Sequence, residues 1–237
     1  MKALALVLCV LASGCITRAP DSLPGFPRIM LWAWERPEDL RFIDPAKIGV
    51  AYLAGTVTLQ QDRAEWRPRM QPLRIPPNTK LMAVVRVESS GALGGGAGQS
   101  AEWISQASRN AGVSALQIDY DARLSERAFY RELVNHVRAG IPHAMPLTIT
   151  ALVSWCVSDT WISDLPIDAA VPMFFRMGSE KRMRQAKLRS PLCAANTGIS
   201  TDELEPVKLA HRVFLFNPHP WTEGNLQAAV YEVNRWQ

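Results

Sequence analysis

The sequence predicts an α/β fold, a (β/α)8 barrel in which some helices are short or missing. Eight short apolar segments rich in Val, Ile, Leu and aromatic residues recur along the chain, as do strands buried on both faces of a parallel sheet. Amphipathic helical patterns separate several of them, the alternation that marks parallel α/β architectures. No linker divides the chain after its first residues and no internal repeat is visible, so residues 28–237 are expected to form one domain. A doubly wound open sheet is the alternative, but no G-x-G-x-x-G follows the first strand.

The chain opens with "MKALALVLCVLASGC": one lysine, an apolar run, small residues and Cys15. That pattern predicts a signal peptide over residues 1–14, too short to span a membrane as a helix. "LASGC" is similar to a bacterial lipobox, so Cys15 is the expected lipidation site and 15–27 a lipidated tether. Ile16 follows the cysteine instead of the aspartate that retains lipoproteins at the inner membrane. The expected location is therefore the outer membrane facing the periplasm, with ordinary secretion as the alternative. The membrane would be reached through the lipid anchor only.

The strands then follow in order: "RIMLWAWE" (28–35), "KIGVAYLAGTVTL" (47–59), "KLMAVVRVESS" (80–90), "GVSALQIDYD" (112–121), "MPLTITALVSW" (145–155), "DAAVPMFFRMG" (168–178), "SPLCAANTG" (190–198) and "HRVFLFNP" (211–218). Between the third and fourth, residues 100–112 put Trp103, Ile104, Ala107 and Ala111 on one helical stripe. Residues 125–140 make the clearest helix: Ser125 can cap it, Phe129, Leu133, Val134 and Val137 form its apolar stripe, and Gly140 ends it. Helical patterns are also expected over 176–188 and 202–210. Residues 222–236 close the chain, with Thr222 as cap and Leu226, Val230 and Val233 facing inward. Residues 60–79 carry four prolines and exclude a long helix. Residues 156–167 leave room only for a short helical turn. The result is a TIM-like barrel with gaps in its outer ring.

Composition narrows the function. The formal net charge is +4, and loss of Lys2 with the signal leaves a mildly basic mature chain. Its basic residues are scattered except for "RMGSEKRMRQAKLR" (176–189), read as a solvated face or as a patch for an acidic partner. No nucleic-acid motif is present. The four histidines (His136, His143, His211, His219) form no H-x-x-x-H pair, no cofactor is required by any motif, and no metal site is expected. The Gly-rich "SSGALGGGAGQS" (89–100) lacks the Lys and Ser/Thr of a phosphate loop. Cys156 and Cys193 remain after the signal and the anchor; an exported compartment permits a bridge between them, but their spacing leaves the pairing open.

Side chains two apart on a strand share a face. Gln117, Asp119 and Asp121 therefore point one way, with Leu116, Ile118 and Tyr120 opposed. The same rule pairs Arg86 with Glu88, and groups Tyr52, Ala54 and Thr56. Buried carboxylates are costly unless paired or hydrogen-bonded, whereas the C-terminal mouth of a barrel opens to water and is where this architecture places active sites. Asp119, Asp121 and Glu88 are the candidate catalytic carboxylates. Arg86, Gln117, Trp34, Trp155, Tyr52 and Asn217 are the candidate substrate-binding residues, because acids and amides bond hydroxyls while flat aromatic faces stack on sugar rings. A purely structural reading stands beside this: Arg86 neutralises Asp119, Asp121 caps the turn "DARLSER", and the tryptophans belong to the core.

"GVSALQIDYDARLSERAFYRELVNHVR", "LTITALVSW" and "AAVPMFFRMG" resemble a family of uncharacterised bacterial exported proteins, a domain of unknown function over most of the mature chain. Its barrel looks similar to glycoside hydrolases, above all to chitinase-like barrels, where D-x-D-x-E ends the fourth strand. Asp119 and Asp121 match the two aspartates. Arg123 stands where the catalytic glutamate would be and cannot protonate a glycosidic oxygen, so the chitinase mechanism does not transfer unchanged. Within the resemblance, Asp121 takes the general-acid role because a charge at Asp119 would raise its pKa; Asp119 stabilises or attacks, and Glu88 is the alternative partner. The expected function is a glycoside-hydrolase-like lipoprotein acting on a polysaccharide or glycan. The alternative, favoured by Arg123, is a non-catalytic carbohydrate-binding pseudoenzyme or envelope scaffold. Whether the chain is an enzyme is left open by sequence.

Overall fold

The computed structural model describes residues 22–61, 63–91, 93–159 and 161–236; the expected signal peptide, Cys15 and most of the tether lie outside them. The strands in chain order are β1 (Ile29–Ala33), β2 (Glu38–Asp39), β3 (Ile48–Gln60), β4 (Arg63–Pro68), β5 (Leu73–Arg74), β6 (Leu81–Ser90), β7 (Val113–Asp119), β8 (Leu147–Leu152), β9 (Ala169–Met173), β10 (Asn196–Ser200) and β11 (Arg212–Phe216). β3, β6, β7, β8, β9, β10, β11 and β1 pair in that order, all parallel, and β1 returns to β3. The eight strands close a barrel of the TIM-like kind. β4 extends β3 as an antiparallel hairpin, and β2 pairs with β5 in a small separate ribbon.

Closure leaves none of the eight barrel strands at an open edge and divides the apolar residues into an inner and an outer core. Inside, Met30, Trp32, Ala51, Met82, Val84, Ala115, Val171 and Phe214 fill the barrel. Leu23 and Phe26, from the segment that precedes β1, join this cluster and stop the lower end. Arg212, fully buried, fastens that plug: its guanidinium donates to the carbonyls of Leu23, Phe26 and Pro27. Outside, the alternate residues of the same strands pack under helices. α1 (Ala97–Ala107) and α2 (Arg127–Gly140) cover β6 and β7, and α4 (Glu223–Arg235) covers β1 and β11.

The outer ring is thinner than expected after β8. Only a five-residue helix, α3 (Val153–Val157), follows that strand. The helix expected over 176–188 is reduced to a 3-10 segment, Gly178–Met183, because Arg176 and Gly178 both adopt left-handed φ values (49° and 53°) that interrupt a right-handed helix. Residues 202–210 form no helix; Pro206 falls in the middle of that span. The seventh strand begins at Asn196, later than expected, since Pro191 opens a 3-10 turn through Cys193. Cys193 is disulfide-bonded to Cys156 of α3. The cap of α2 also differs: Ser125 lies in a 3-10 turn, and Glu126, three residues after Arg123, accepts the Arg123 backbone N–H. No helix among the described residues is long and apolar enough to cross a membrane.

Candidate active site

β7 carries the polar row to the open end of the barrel. Side by side with it, β6 brings Arg86 into register with Asp119, and β8 brings Thr150 across from them. Asp119 and Asp121 line a cavity of about 210 Å³ in the mouth. Trp34 and Phe216 stand edge to face at one side, their centroids 6.1 Å apart. Phe175 stacks parallel to Phe216 at 5.6 Å. Arg176 lies over both phenylalanines, and Arg86 over Trp34 at 5.9 Å. Trp32 makes the floor, its indole N–H donating to Gln117 Oε1 at 2.8 Å.

The floor needs a glycine beneath it. A Cβ at Gly198 would sit 2.8 Å from Cη2 of Trp32 and 3.2 Å from the Pro172 carbonyl oxygen. Only a residue without a side chain leaves room for the indole at that layer.

The two carboxyls sit in different surroundings. Asp119 is deeper and half-buried, and burial pushes its pKa up to about 6. The Thr150 hydroxyl, donating to Oδ1 at 2.7 Å, opposes that shift, as does Arg86; the neighbouring charges of Asp121 and Glu88 add to it. Asp121 is exposed at the rim, so water reaches it and moderates its desolvation. Its pKa is nonetheless raised, first by burial of the carboxyl against the mouth and then by the charge of Glu180, with Arg86 opposing. Glu180 comes from the 3-10 segment after β9 and accepts the Ser154 N–H at the start of α3.

Several expected site residues lie elsewhere. Glu88 is out past the cavity wall, half-exposed, and pairs with Arg86 at 2.9 Å. Arg86 therefore does not neutralise Asp119 by direct contact. Gln117 is fully buried one layer below the cavity, between Trp32 and Thr148; it positions the floor and does not reach the ligand space. Trp155 is 2% exposed on α3 and packs against Tyr130 and Trp161 in the outer core, because β8 ends at Leu152 and the residues after it turn into helix. Tyr52 faces outward, its hydroxyl accepting from Asn110 at 3.0 Å. Asn217 is buried beyond the mouth, accepting from Thr201 Oγ1 and the His219 N–H. Trp34 lines the cavity. Asp121 caps no turn: its side chain accepts no hydrogen bond among the described residues, and Glu126 does that work from Arg123 onward.

Phe175, Phe216 and Thr150 were not among the expected ligand contacts. The alternation rule finds all three when it is run upward from the barrel interior: Val171, Met173 and Phe175, then Phe214 and Phe216, then Thr148 and Thr150. Apolar strands hide such residues, since a uniformly hydrophobic segment does not announce which face is inward.

Among the described residues no three His, Cys, Asp or Glu side chains are grouped to hold a metal ion. No family model, curated protein or solved structure matches the chain. The functional reading therefore rests on the chemistry of the mouth.

Proposed function

We propose that the barrel mouth binds a glycan and cleaves a glycosidic bond in it, with Asp119 and Asp121 as the working pair. The observation that carries this reading is the contrast between two carboxyls on one strand end, facing one cavity walled by Trp34, Phe175 and Phe216. Pairs of carboxyls whose surroundings push their pKa values apart divide acid and base roles between them. The roles run opposite to the assignment made from the resemblance. Asp119, held near 6 by burial, is the proton donor to the leaving oxygen. Asp121, at the rim and near Arg86, is the ionised partner, stabilising or attacking the anomeric carbon. The C–O bond breaks, the proton of Asp119 goes to the departing hydroxyl, and water supplies the hydroxyl of the new reducing end and returns its other proton to Asp119. The aromatic walls stack on sugar faces, and Arg86 and Arg176 are placed to bond hydroxyl or acidic substituents.

An exported lipoprotein would meet such substrates in the cell envelope, and the Cys156–Cys193 bridge suits an oxidising compartment. A second reading, recognition without cleavage, is favoured by Arg123, whose guanidinium is committed to Glu126 at 2.9 Å and offers no acid at the rim.

The test is a screen of envelope and plant polysaccharides with the purified protein beside Asp119→Asn and Asp121→Asn. Turnover that drops by about 100-fold or more in each variant supports the assignment. The wild-type rate should also fall as pH rises through about 6, as Asp119 loses its proton. Saturable glycan binding with no turnover of any substrate establishes the binding module instead, and equal turnover in all three proteins removes both carboxylates from the chemistry.

A further inference from the structure

The barrel carries a second cavity, remote from the mouth, of about 470 Å³. It lies on the outer wall where helices are missing, over Phe174 just past β9 and the outward-facing Thr197 of β10. We propose that this cavity is an anion site, built for a phosphate group, with Arg184, Lys187 and Lys208 as its cationic ligands.

Its lining contains those three cations and no Asp or Glu. Arg184 is 8% exposed, and its Nε pairs with Glu205 Oε2 at 3.1 Å. Its other two guanidinium nitrogens, Nη1 and Nη2, are buried and have no hydrogen-bond partner among the described residues. A buried cationic donor left unmatched carries the full desolvation cost of the group. A bound oxyanion removes that cost, since the guanidinium fork matches tetrahedral and planar oxyanions bidentately.

Charge selects among them. Glu205 offsets one cation, which leaves two positive charges facing the cavity, the balance that a phosphate dianion completes. Lys187 and Lys208 are exposed and make no ion pair among the described residues, so both are free to turn in. Thr197 Oγ1 accepts the Ala210 N–H at 2.8 Å, and its own hydroxyl hydrogen remains to be donated. The segment that bears Arg184 and Lys187 is anchored at its far end by the Cys193 bridge and by Arg189 N–H donating to the Cys156 carbonyl at 2.7 Å. That anchoring keeps the cations on the wall. The basic run singled out in the sequence thus divides: Arg176 serves the mouth, and Arg184 with Lys187 serves this site.

Isothermal titration of the protein with inorganic phosphate at low salt tests the proposal, beside Lys187→Gln/Lys208→Gln and Arg184→Gln. One saturable site is expected, weakened about tenfold for each cation removed. The lysine pair is exposed, so that variant decides the matter even where Arg184→Gln fails to fold. Sedimentation with phosphatidic acid vesicles, whose phosphomonoester can carry two charges, and with phosphatidylcholine vesicles then separates two sources of the phosphate. Binding to the anionic vesicles that free phosphate displaces identifies a lipid headgroup. Phosphate binding without vesicle binding identifies a soluble phosphate ester. An absence of saturable phosphate binding, or an unchanged affinity in the double lysine variant, overturns the site.

Discussion

Asp119 is stabilised by one short hydrogen bond and destabilised by its position. Its folded pKa, about 6, lies above the ordinary carboxyl value of 3.8. The native state therefore holds a proton that the unfolded chain has released, and the linkage has a definite sign. Stability contributed by this group is complete below the unfolded value and is lost as pH rises through about 6. Because the mouth is open to water, the loss is discounted to about 1–2 kcal/mol. Asparagine fits the same place without a charge, and its carbonyl oxygen accepts the Thr150 hydroxyl just as Oδ1 does. Asp119→Asn should then unfold at higher denaturant than the wild type near neutral pH, by about 1–2 kcal/mol, with the difference closing toward about pH 4. Denaturation curves across that range check it. A variant less stable than the wild type at neutral pH would mean that the carboxylate is held by interactions stronger than its desolvation. Stabilisation together with loss of turnover would mark Asp119 as a residue kept for chemistry at the expense of the fold.

At the scale of the element, a strand is useful only through its phase, and phase is set by what its neighbours make of it. Gly198 shows this most sharply. β10 passes so close to Trp32 that an alanine Cβ would fall 2.8 Å from the indole. Gly198→Ala should cost about 1–3 kcal/mol by overpacking, shift tryptophan fluorescence, and displace the floor of the cavity; a crystal structure or a melting curve identical to the wild type would refute the packing described. The strands themselves were legible because apolar runs buried on both faces read almost the same in any register, so all eight segments appear in chain order. The face on which Gln117, Asp119 and Asp121 lie was legible too, since past the slip at Ser114 in its pairing with β6, β7 alternates without a break as far as Asp119. β3 does not. Its pairing with β6 slips between Leu53 and Gly55, and a bulge of this kind inverts the faces that follow. Thr56, in register with Arg86, then faces inward, whereas Tyr52, in register with Ala83, faces outward. Even spacing had placed the two together. No residue in "AYLAGTV" marks the slip except Gly55, where the Trp66 ring of the hairpin comes within 2.2 Å of a would-be Cβ. Trp155 was misplaced for a related reason: "TITALVSW" reads as one apolar strand, and the turn into α3 after Leu152 depends on Glu180, twenty-six residues ahead in the chain, receiving the Ser154 N–H.

The whole molecule is unevenly covered. β6 and β7 lie under α1 and α2, and β1 and β11 under α4, while the arc from β8 to β10 is covered by the short α3, 3-10 turns and irregular chain. Closure of the barrel makes every strand depend on both neighbours, so this thin arc limits the stability of the ring. The Cys156–Cys193 bridge spans it, joining α3 to the turn before β10 across 37 residues of chain. Within that loop lie β9, Phe175, Arg176 and Glu180 of the mouth, and Arg184 and Lys187 of the outer cavity. Closing a loop of that length restricts the unfolded chain by about 4 kcal/mol on the chain-entropy account. Cys156→Ser/Cys193→Ser, or reduction of the wild type, should therefore lower the unfolding free energy by about 2–4 kcal/mol. The loss should also be local before it is global. Hydrogen exchange in the bridged loop should accelerate at mild reductant, while amides of β6 and β7 stay protected under their helices, because opening follows the units that bury the least. Uniform acceleration over all eight strands would show instead that the barrel opens as one cooperative body and that the bridge acts on the ring as a whole. In the local case the wall formed by Phe175 and Arg176 loosens with the arc, and ligand affinity at the mouth falls under reductant with Asp119 and Asp121 untouched.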